Sequence, residues 1–411
     1  MGRVIELRCV ACERTVSEEH LWCPDCGPEG TLDVGYDLEA AGAALRASLP
    51  KAPQTWWRYE PLLPVAPDGP RPPVALVPTP LLSVDPARAP GGLTRLQIKD
   101  EGRNPTASFK DRATSVAVAR ALERGSPGLL CASTGNAATS LAGFCAAAGL
   151  RAVILVPASA PRPKLAQLMV YGAELVCVDG NYDAAFDLSL EAAPKLGLDL
   201  RSTGVNPYLG EGKKLCALEL CEQLDWDPPE VVAVSVGDGC IIGGLAKGFA
   251  DLHGAGLIPR VPRLIGVQAE GSDALAQAFA RGDQAPQAIS AKTLADSISV
   301  DLPRDGRKAL RAVRRSQGTF VRVSDAEILQ AQVEVARATG VFAEPAGATS
   351  VAGLVKLVRQ GELDPDTRCV AILTGHGLKD TDAALKATGG LPEPTPATLE
   401  AVLARVEELQ H

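Results

Sequence analysis

The chain has 411 residues, of which 46% are hydrophobic and 22% charged, enough to bury a large core divided into two or three lobes. A formal net charge of -8 excludes the clustered cationic surface that nucleic acid or an anionic membrane requires. The longest apolar runs, such as Ala152 to Val156, are far too short to cross a bilayer, and the opening MGRVIELRC lacks the apolar core of a signal peptide, so a cytoplasmic protein is expected.

Cysteine is the first informative residue along the chain. Cys9-Val-Ala-Cys12 and Cys23-Pro-Asp-Cys26 are two C-x2-C pairs ten residues apart, within a segment 1–36 that has little core of its own. Each pair sets two thiolates on one tight turn, and two such turns complete a tetrahedral four-sulfur site. That is zinc-ribbon spacing, and a closed site of this kind would hold a structural Zn2+. The other seven cysteines, among them Cys145, Cys177, Cys221 and Cys369, read as small buried hydrophobes.

Residues 37–93 form an arm that is proline-rich from Pro50 to Pro90 and carries Trp56, Trp57 and Tyr59, which suggests an extended segment pinned by aromatics. Thr79-Pro80-Leu81 marks entry to a catalytic body over 94–390.

The stretch KDEGRNPTASFKDRATSVAVAR, 99–120, follows. Asn104 and Pro105 break what precedes them. Ser108 is placed to cap a helix with Asp111 in its first turn and Ala113, Val116 and Ala117 on its inner face. Lys110 would then stand at a helix N-terminus, where the dipole disfavours an ammonium. A neutral amine is what a Schiff base with a carbonyl cofactor requires. Alone, the pentapeptide 108–112 reads as a solvated lysine beside an aspartate; the turns further along change that.

Beyond Lys110, short apolar runs alternate with helical stretches: Leu129 to Ala132, Ala152 to Val156, Leu175 to Val178, Val231 to Val236, Leu264 to Val267, Phe320 to Val323 and Val370 to Leu373. The pattern predicts an α/β chain with parallel sheets. Predicted helices include Ala137 to Ala148 closed by Gly149, and Asp325 to Thr339 opened by the capping box Ser324…Glu327 and closed by Gly340. A last amphipathic helix within 391–411 carries Leu399, Val402, Leu403 and Val406 on one face and is expected to pack on the body or on a second subunit.

Ligands of such sheets bind at the carboxyl ends of strands, so the turns there matter most. Ser133-Thr134-Gly135-Asn136 offers hydroxyls and helix-start N–H groups to an anion, and Asn136 an amide to a phenolic oxygen. Gly237-Asp238-Gly239-Cys240-Ile241 opens another helix, and its glycines let backbone N–H groups converge on a phosphate. Thr374-Gly375-His376-Gly377 supplies a hydroxyl for a ring nitrogen and room for a flat ligand. With four histidines and no matching Ser or Asp order, His376 does not form a triad. A carbonyl-reactive amine, a phosphate cradle and partners for a phenolic oxygen and a ring nitrogen are the four things pyridoxal phosphate needs.

On these residues the chain resembles the threonine synthases among fold-type II pyridoxal-phosphate enzymes. The resemblance runs through the CxxC…CxxC ribbon, WRYEPLLP at 57–64, PTPL at 78–81, KDEGRNPTASFKDR at 99–112, ASTGN at 132–136, KLAQLMVYGAELVCVDGNYDAA at 164–185, EPAGA at 344–348 and TGHGLKD at 374–380. It implies two parallel-sheet α/β lobes, the smaller within roughly 115–215, in a homodimer. It also implies that Lys110 carries the cofactor and Asn136 faces its ring hydroxyl. Gly237, Asp238, Gly239, Cys240 and Ile241 would hold the cofactor phosphate, Thr374 the pyridine nitrogen, and Ser133, Thr134 and Gly135 the carboxylate of a small amino-acid substrate. The implied biosynthetic reaction is that of a carbon–oxygen lyase, converting O-phospho-L-homoserine and water to L-threonine and phosphate.

Two segments depart from the family pattern. Where the family reads G-N-x-G-N, this chain reads Gly-Asp-Gly-Cys-Ile, and Asp238 must point away from a bound phosphate or be protonated. In the family's N-S-x-N-P-x-R-x-E-G segment, whose Ser and Arg commonly hold the substrate phosphate, this chain has Gly204 and Leu209 within Thr203 to Gly212. Lys213, Lys214 or Lys164 could take over that grip. The alternatives are β-elimination or β-replacement on a serine-like amino acid, as in serine/threonine dehydratases or cysteate synthase, and a non-catalytic module whose ribbon binds a partner.

Overall fold

All seven apolar runs are strands in the computed structural model, which describes residues 4–158, 162–180, 182–202 and 204–409. The chain begins with an antiparallel sheet of β1 (Val4–Cys9), β2 (Thr15–Val16) and β3 (Leu32–Tyr36), followed by α1 (Leu38–Ser48). Next come β4 (Leu81–Ser83), β5 (Leu96–Asp100), α2 (Lys110–Arg124), β6 (Gly128–Ala132), α3 (Asn136–Ala148), β7 (Arg151–Pro157), α4 (Arg162–Val170) and β8 (Glu174–Val178). The chain continues through α5 (Tyr182–Lys195), β9 (Asp199–Leu200), α6 (Tyr208–Gln223), β10 (Val231–Ser235), α7 (Cys240–Gly254), β11 (Arg263–Ala269) and α8 (Ala274–Arg281). It ends with α9 (Gly306–Arg315), β12 (Thr319–Val323), α10 (Asp325–Thr339), α11 (Pro345–Arg359), β13 (Cys369–Leu373), α12 (Thr381–Ala387) and α13 (Leu399–Glu408).

Two parallel sheets organise these elements. The larger has the order β12-β11-β10-β13-β5-β4, parallel except for β4, and the smaller has the order β8-β7-β6-β9, parallel throughout. Every residue of β6, β10 and β13 is buried, which is why they read as unbroken apolar runs: helices cover both faces. The capping box at Ser324 and Glu327 forms, and left-handed Gly149 and Gly340 end α3 and α10 as the sequence predicts.

Four expectations are corrected. Ser108 does not cap α2: the helix follows Phe109, itself helical, and the Ser108 hydroxyl is buried without a partner. The start is set instead from across the fold, by a bridge between Ser108 and Gly375 and by the Phe109 N–H donating to the Thr374 carbonyl at 2.8 Å. Nor has α2 one inner face. Asp111, Arg112, Thr114 and Ser115 are buried along with Ala113, Val116 and Ala117, because α2 lies between α3 and α6.

Cys177 is exposed, on the edge strand β8. And α13 buries none of its residues; Leu399, Val402, Leu403 and Val406 stay exposed after a proline-rich lead-in, so the helix does not pack back on the body.

The arm is pinned by its aromatics, but it is not extended throughout, since it includes α1 and a short 3-10 helix Trp56–Leu62. Trp56 and Tyr59 are buried, and the Arg112 guanidinium lies 4.6 Å from the Trp56 ring. The N-terminal sheet shares the main core through Leu7, Leu32 and Val34, and Thr31 donates to Asp305 at 3.0 Å.

Candidate active site

The elements converge on one cavity, lined by residues from both sheets' loops and helix starts. It lies at the carboxyl ends of β10 and β13, where open parallel sheets place their ligands. Lys110, Asn136, Gly237, Asp238, Gly239, Cys240, Ile241 and Thr374 all line it. Ser133, Thr134 and Gly135 do not; they form the partly exposed turn ahead of α3, with the Gly135 N–H donating to the Ser133 hydroxyl at 3.2 Å.

Lys110 sits at the first position of α2, held there by the ties to Thr374 and Gly375. Burial lowers its pKa, and the Arg201 cation adds to that, so the amine gives up its proton more readily than a free lysine. The neighbouring carboxylate does not oppose this by pairing. Asp111 turns back to accept from the N–H of Thr106 at 2.6 Å and from its hydroxyl, and burial raises its pKa.

The loop ahead of α7 has the form of an anion cradle. Gly239 precedes the helix with φ +88 and no side-chain cap, leaving the first N–H groups of α7 free to face a phosphate. A Cβ there would lie 2.7 Å from the Ala309 Cβ and 3.0 Å from the Asp305 carbonyl. Gly239→Ala is therefore expected to weaken pyridoxal-phosphate binding about tenfold, as backbone strain of roughly 1–2 kcal/mol implies. Titrating cofactor-free protein by absorbance checks this, and unchanged affinity would count against the cradle.

Asp238 is a lining residue of the cavity whose carboxylate accepts from the Arg304 N–H at 3.3 Å, and burial raises its pKa toward the neutral acid that a neighbouring phosphate tolerates.

Glu344, within EPAGA, is a site residue that the sequence alone does not single out. It lines the cavity, and the Asn136 amide donates to both of its carboxylate oxygens at 3.1 Å, an arrangement that fixes which way that amide points. Burial raises the pKa of Glu344. An acidic residue directly before a helix-opening proline was the available signal. His376, by contrast, caps its own turn, its Nδ1 accepting from the Leu378 N–H at 3.1 Å. Thr203 and the side chain of Lys164 lie outside the described residues.

A lysine amine made easier to deprotonate, a backbone cradle, and Asn136 and Thr374 on the wall of the same cavity fit pyridoxal phosphate. The four N-terminal cysteines also converge, their Sγ atoms all within 4.8 Å of one another and those of Cys12 and Cys23 3.7 Å apart. Sulfurs bonded tetrahedrally to one zinc stand about 3.8 Å apart, so the cluster suits that ion.

Comparison with known proteins agrees with this chemistry. A family model described as "Pyridoxal-phosphate dependent enzyme" matches residues 74–375. The threonine synthase of Methanocaldococcus jannaschii is 39% identical over 387 residues, covering 93% of this chain and 94% of that one. The threonine synthase of Methanosarcina acetivorans is 37% identical over 386 residues, 92% of this chain and 93% of its own. In fold, the chain is similar to diaminopropionate ammonia lyase from Escherichia coli, with a TM-score of 0.66 at 18% identity over 85% of this chain and 92% of that one. The chain belongs to the fold-type II pyridoxal-phosphate-dependent enzymes and, within them, to the threonine synthase family.

Proposed function

We propose that this protein is a threonine synthase, a lyase that converts O-phospho-L-homoserine and water to L-threonine and phosphate. The observation that carries the reading is one cavity lined by Lys110, Asn136, the loop 237–241 and Thr374, in a chain 39% identical to a threonine synthase over nearly its whole length.

Pyridoxal phosphate, when bound, supplies a carbonyl for the amine and a ring that stores electrons from the substrate. The N–H groups of the 237–241 loop bind its phosphate, and the positive end of α7 adds to their pull. Asn136, oriented by Glu344, donates to the ring hydroxyl. The Thr374 hydroxyl, which makes no hydrogen bond among the described residues, donates to the ring nitrogen. Ser133, Thr134 and Gly135, at the uncapped start of α3, receive the substrate carboxylate. Lys110, once free, takes the proton from the substrate Cα and moves protons between the carbons as phosphate leaves Cγ and water adds at Cβ.

The test is inorganic phosphate release from O-phospho-L-homoserine with L-threonine as co-product. No turnover there, with turnover of a β-substituted amino acid, would favour elimination or replacement instead.

The same reading divides the chain into a ribbon at 1–36, an arm at 37–93, a catalytic body at 94–390 and a terminal helix at 391–411, in a cytoplasmic homodimer. The uncovered apolar stripe of α13 supports the dimer, which sedimentation tests. For the ribbon we expect one zinc per chain by atomic absorption. Stripping it should lower thermal stability and leave pyridoxal-phosphate content unchanged, because the cysteines stand apart from the cofactor cavity.

A further inference from the structure

Next to the cofactor cavity, with Cys240 as a shared wall, lies a smaller one lined by Gly204, Asn206, Leu209, Gly210, Lys213 and Asp305. Lys213 is 2% exposed, and its ammonium makes one long hydrogen bond, 3.5 Å to the carbonyl of Leu209 on its own helix. Among the described residues no carboxylate stands within ion-pair distance of it. The next residue shows the contrast: Lys214 is equally buried and is held by Glu211 at 2.5 Å and Asp251 at 2.7 Å.

A buried ammonium is costly unless paired, so the partner of Lys213 is to be sought among the ligands of the site. Its neighbours do not close an ion pair with it. Burial lowers its pKa to about 8; the cations Arg201 and Lys110 push the same way, while Cys240 and Asp305, both on the wall of this cavity, oppose them without coming within ion-pair distance. Among the described residues of the adjoining segment nothing else fills the role. Gly204, with φ +71, packs against Arg304, where a Cβ would meet the Arg304 Cβ at 2.7 Å, and Leu209 is apolar.

We propose that Lys213 binds the phosphate dianion of the substrate, its ammonium reaching the leaving group from the cavity behind Cys240. The inference rests on the reading of this protein as acting on a phosphorylated amino acid. The cofactor's own phosphate is served by the backbone at the start of α7, so a second phosphate needs a second cationic partner, and Lys213 is buried, placed and uncommitted to supply it. Affinity for the dianion then falls as pH rises through about 8, where Lys213 of the free enzyme loses its proton.

The probe is 2-amino-5-phosphonopentanoate, in which a methylene replaces the cleavable oxygen, titrated calorimetrically into the cofactor-loaded protein, with L-norvaline as the same chain lacking the phosphonate. Lys213→Met, with Lys213→Gln as the second variant should the first fold poorly, is expected to weaken the phosphonate about 10- to 100-fold, as loss of one charge-assisted contact implies. Norvaline affinity and cofactor content should hold within twofold, and Lys213→Arg should recover most of the phosphonate affinity. Equal phosphonate affinity in wild type and both variants overturns the proposal. So does loss of cofactor affinity with phosphonate binding intact, since that would assign the ammonium to the cofactor. A wild type that binds the phosphonate through Lys213 but releases no phosphate from O-phospho-L-homoserine upholds the phosphate site and refutes the reaction.

Discussion

Lys110→Ala is expected to cut phosphate release from O-phospho-L-homoserine by at least about 10³-fold while the protein stays folded. Two losses combine. The variant has no amine to link to the cofactor carbonyl, and no group to move protons at the substrate Cα. Removing the amine does not disturb the scaffold, because the start of α2 is held by backbone ties from Ser108 and Phe109 to Gly375 and Thr374, none of which involves the lysine side chain. The variant also sheds a lysine that burial already disfavours in its charged form, so thermal stability at neutral pH should hold or rise. The direct measurement is borohydride reduction followed by peptide mapping. Wild type should carry the label at Lys110 and the variant at no lysine. A label elsewhere, or activity within tenfold of wild type, would remove Lys110 from the mechanism.

How much of this was legible beforehand depended on whether the signal was local. The seven strands could be read because β6, β10 and β13 are covered on both faces and leave continuous apolar runs, and the ends of α3 and α10 because a glycine in the left-handed region is a one-residue signal. Ser108 misled for the opposite reason. Its position before Lys110 looks like a cap, yet the helix start is decided by partners more than 260 residues further on. Glu344 shares this character, since its meaning depends on an amide 208 positions earlier that donates to both of its carboxylate oxygens at 3.1 Å. Lys213 and Lys214 are adjacent and of one type; only the fold shows that Lys214 is paired with Glu211 and Asp251, while among the described residues no carboxylate comes within ion-pair distance of Lys213. The short strands β4 and β5 were missed because neither stands out as a long apolar run.

The largest effect on stability is expected from Arg112→Met, two residues beyond Lys110 on the same helix. Arg112 is fully buried and grips Glu101 through Nε at 2.6 Å and a terminal nitrogen at 2.8 Å, and Glu219 at 2.8 Å. It also donates to the Thr79 hydroxyl at 3.1 Å. Lys99 completes the set by pairing with Glu219, so two buried cations meet two buried carboxylates. Methionine fills much of the volume but leaves Glu101 and Glu219 sharing one lysine, a loss of about 3–5 kcal/mol on the scale of broken buried pairs.

The sign of the pH dependence separates this from lost packing against Trp56. In wild type the cations hold the Glu101 and Glu219 pKa values below the usual carboxylate range despite burial, so their contribution is present at neutral pH and declines only as acid protonates them. In the variant, burial without Arg112 pushes the same groups upward, and protonating one relieves the repulsion early. The gap between wild type and variant in thermal midpoint should therefore be widest near pH 7 and narrow below about pH 5. A gap constant from pH 7.5 to 4 would assign the loss to packing. Because Arg112 and Lys110 share the first turn of α2, the variant should also bind pyridoxal phosphate more weakly. Stability and cofactor affinity falling together would show that this buried cluster sets the position of the reactive amine.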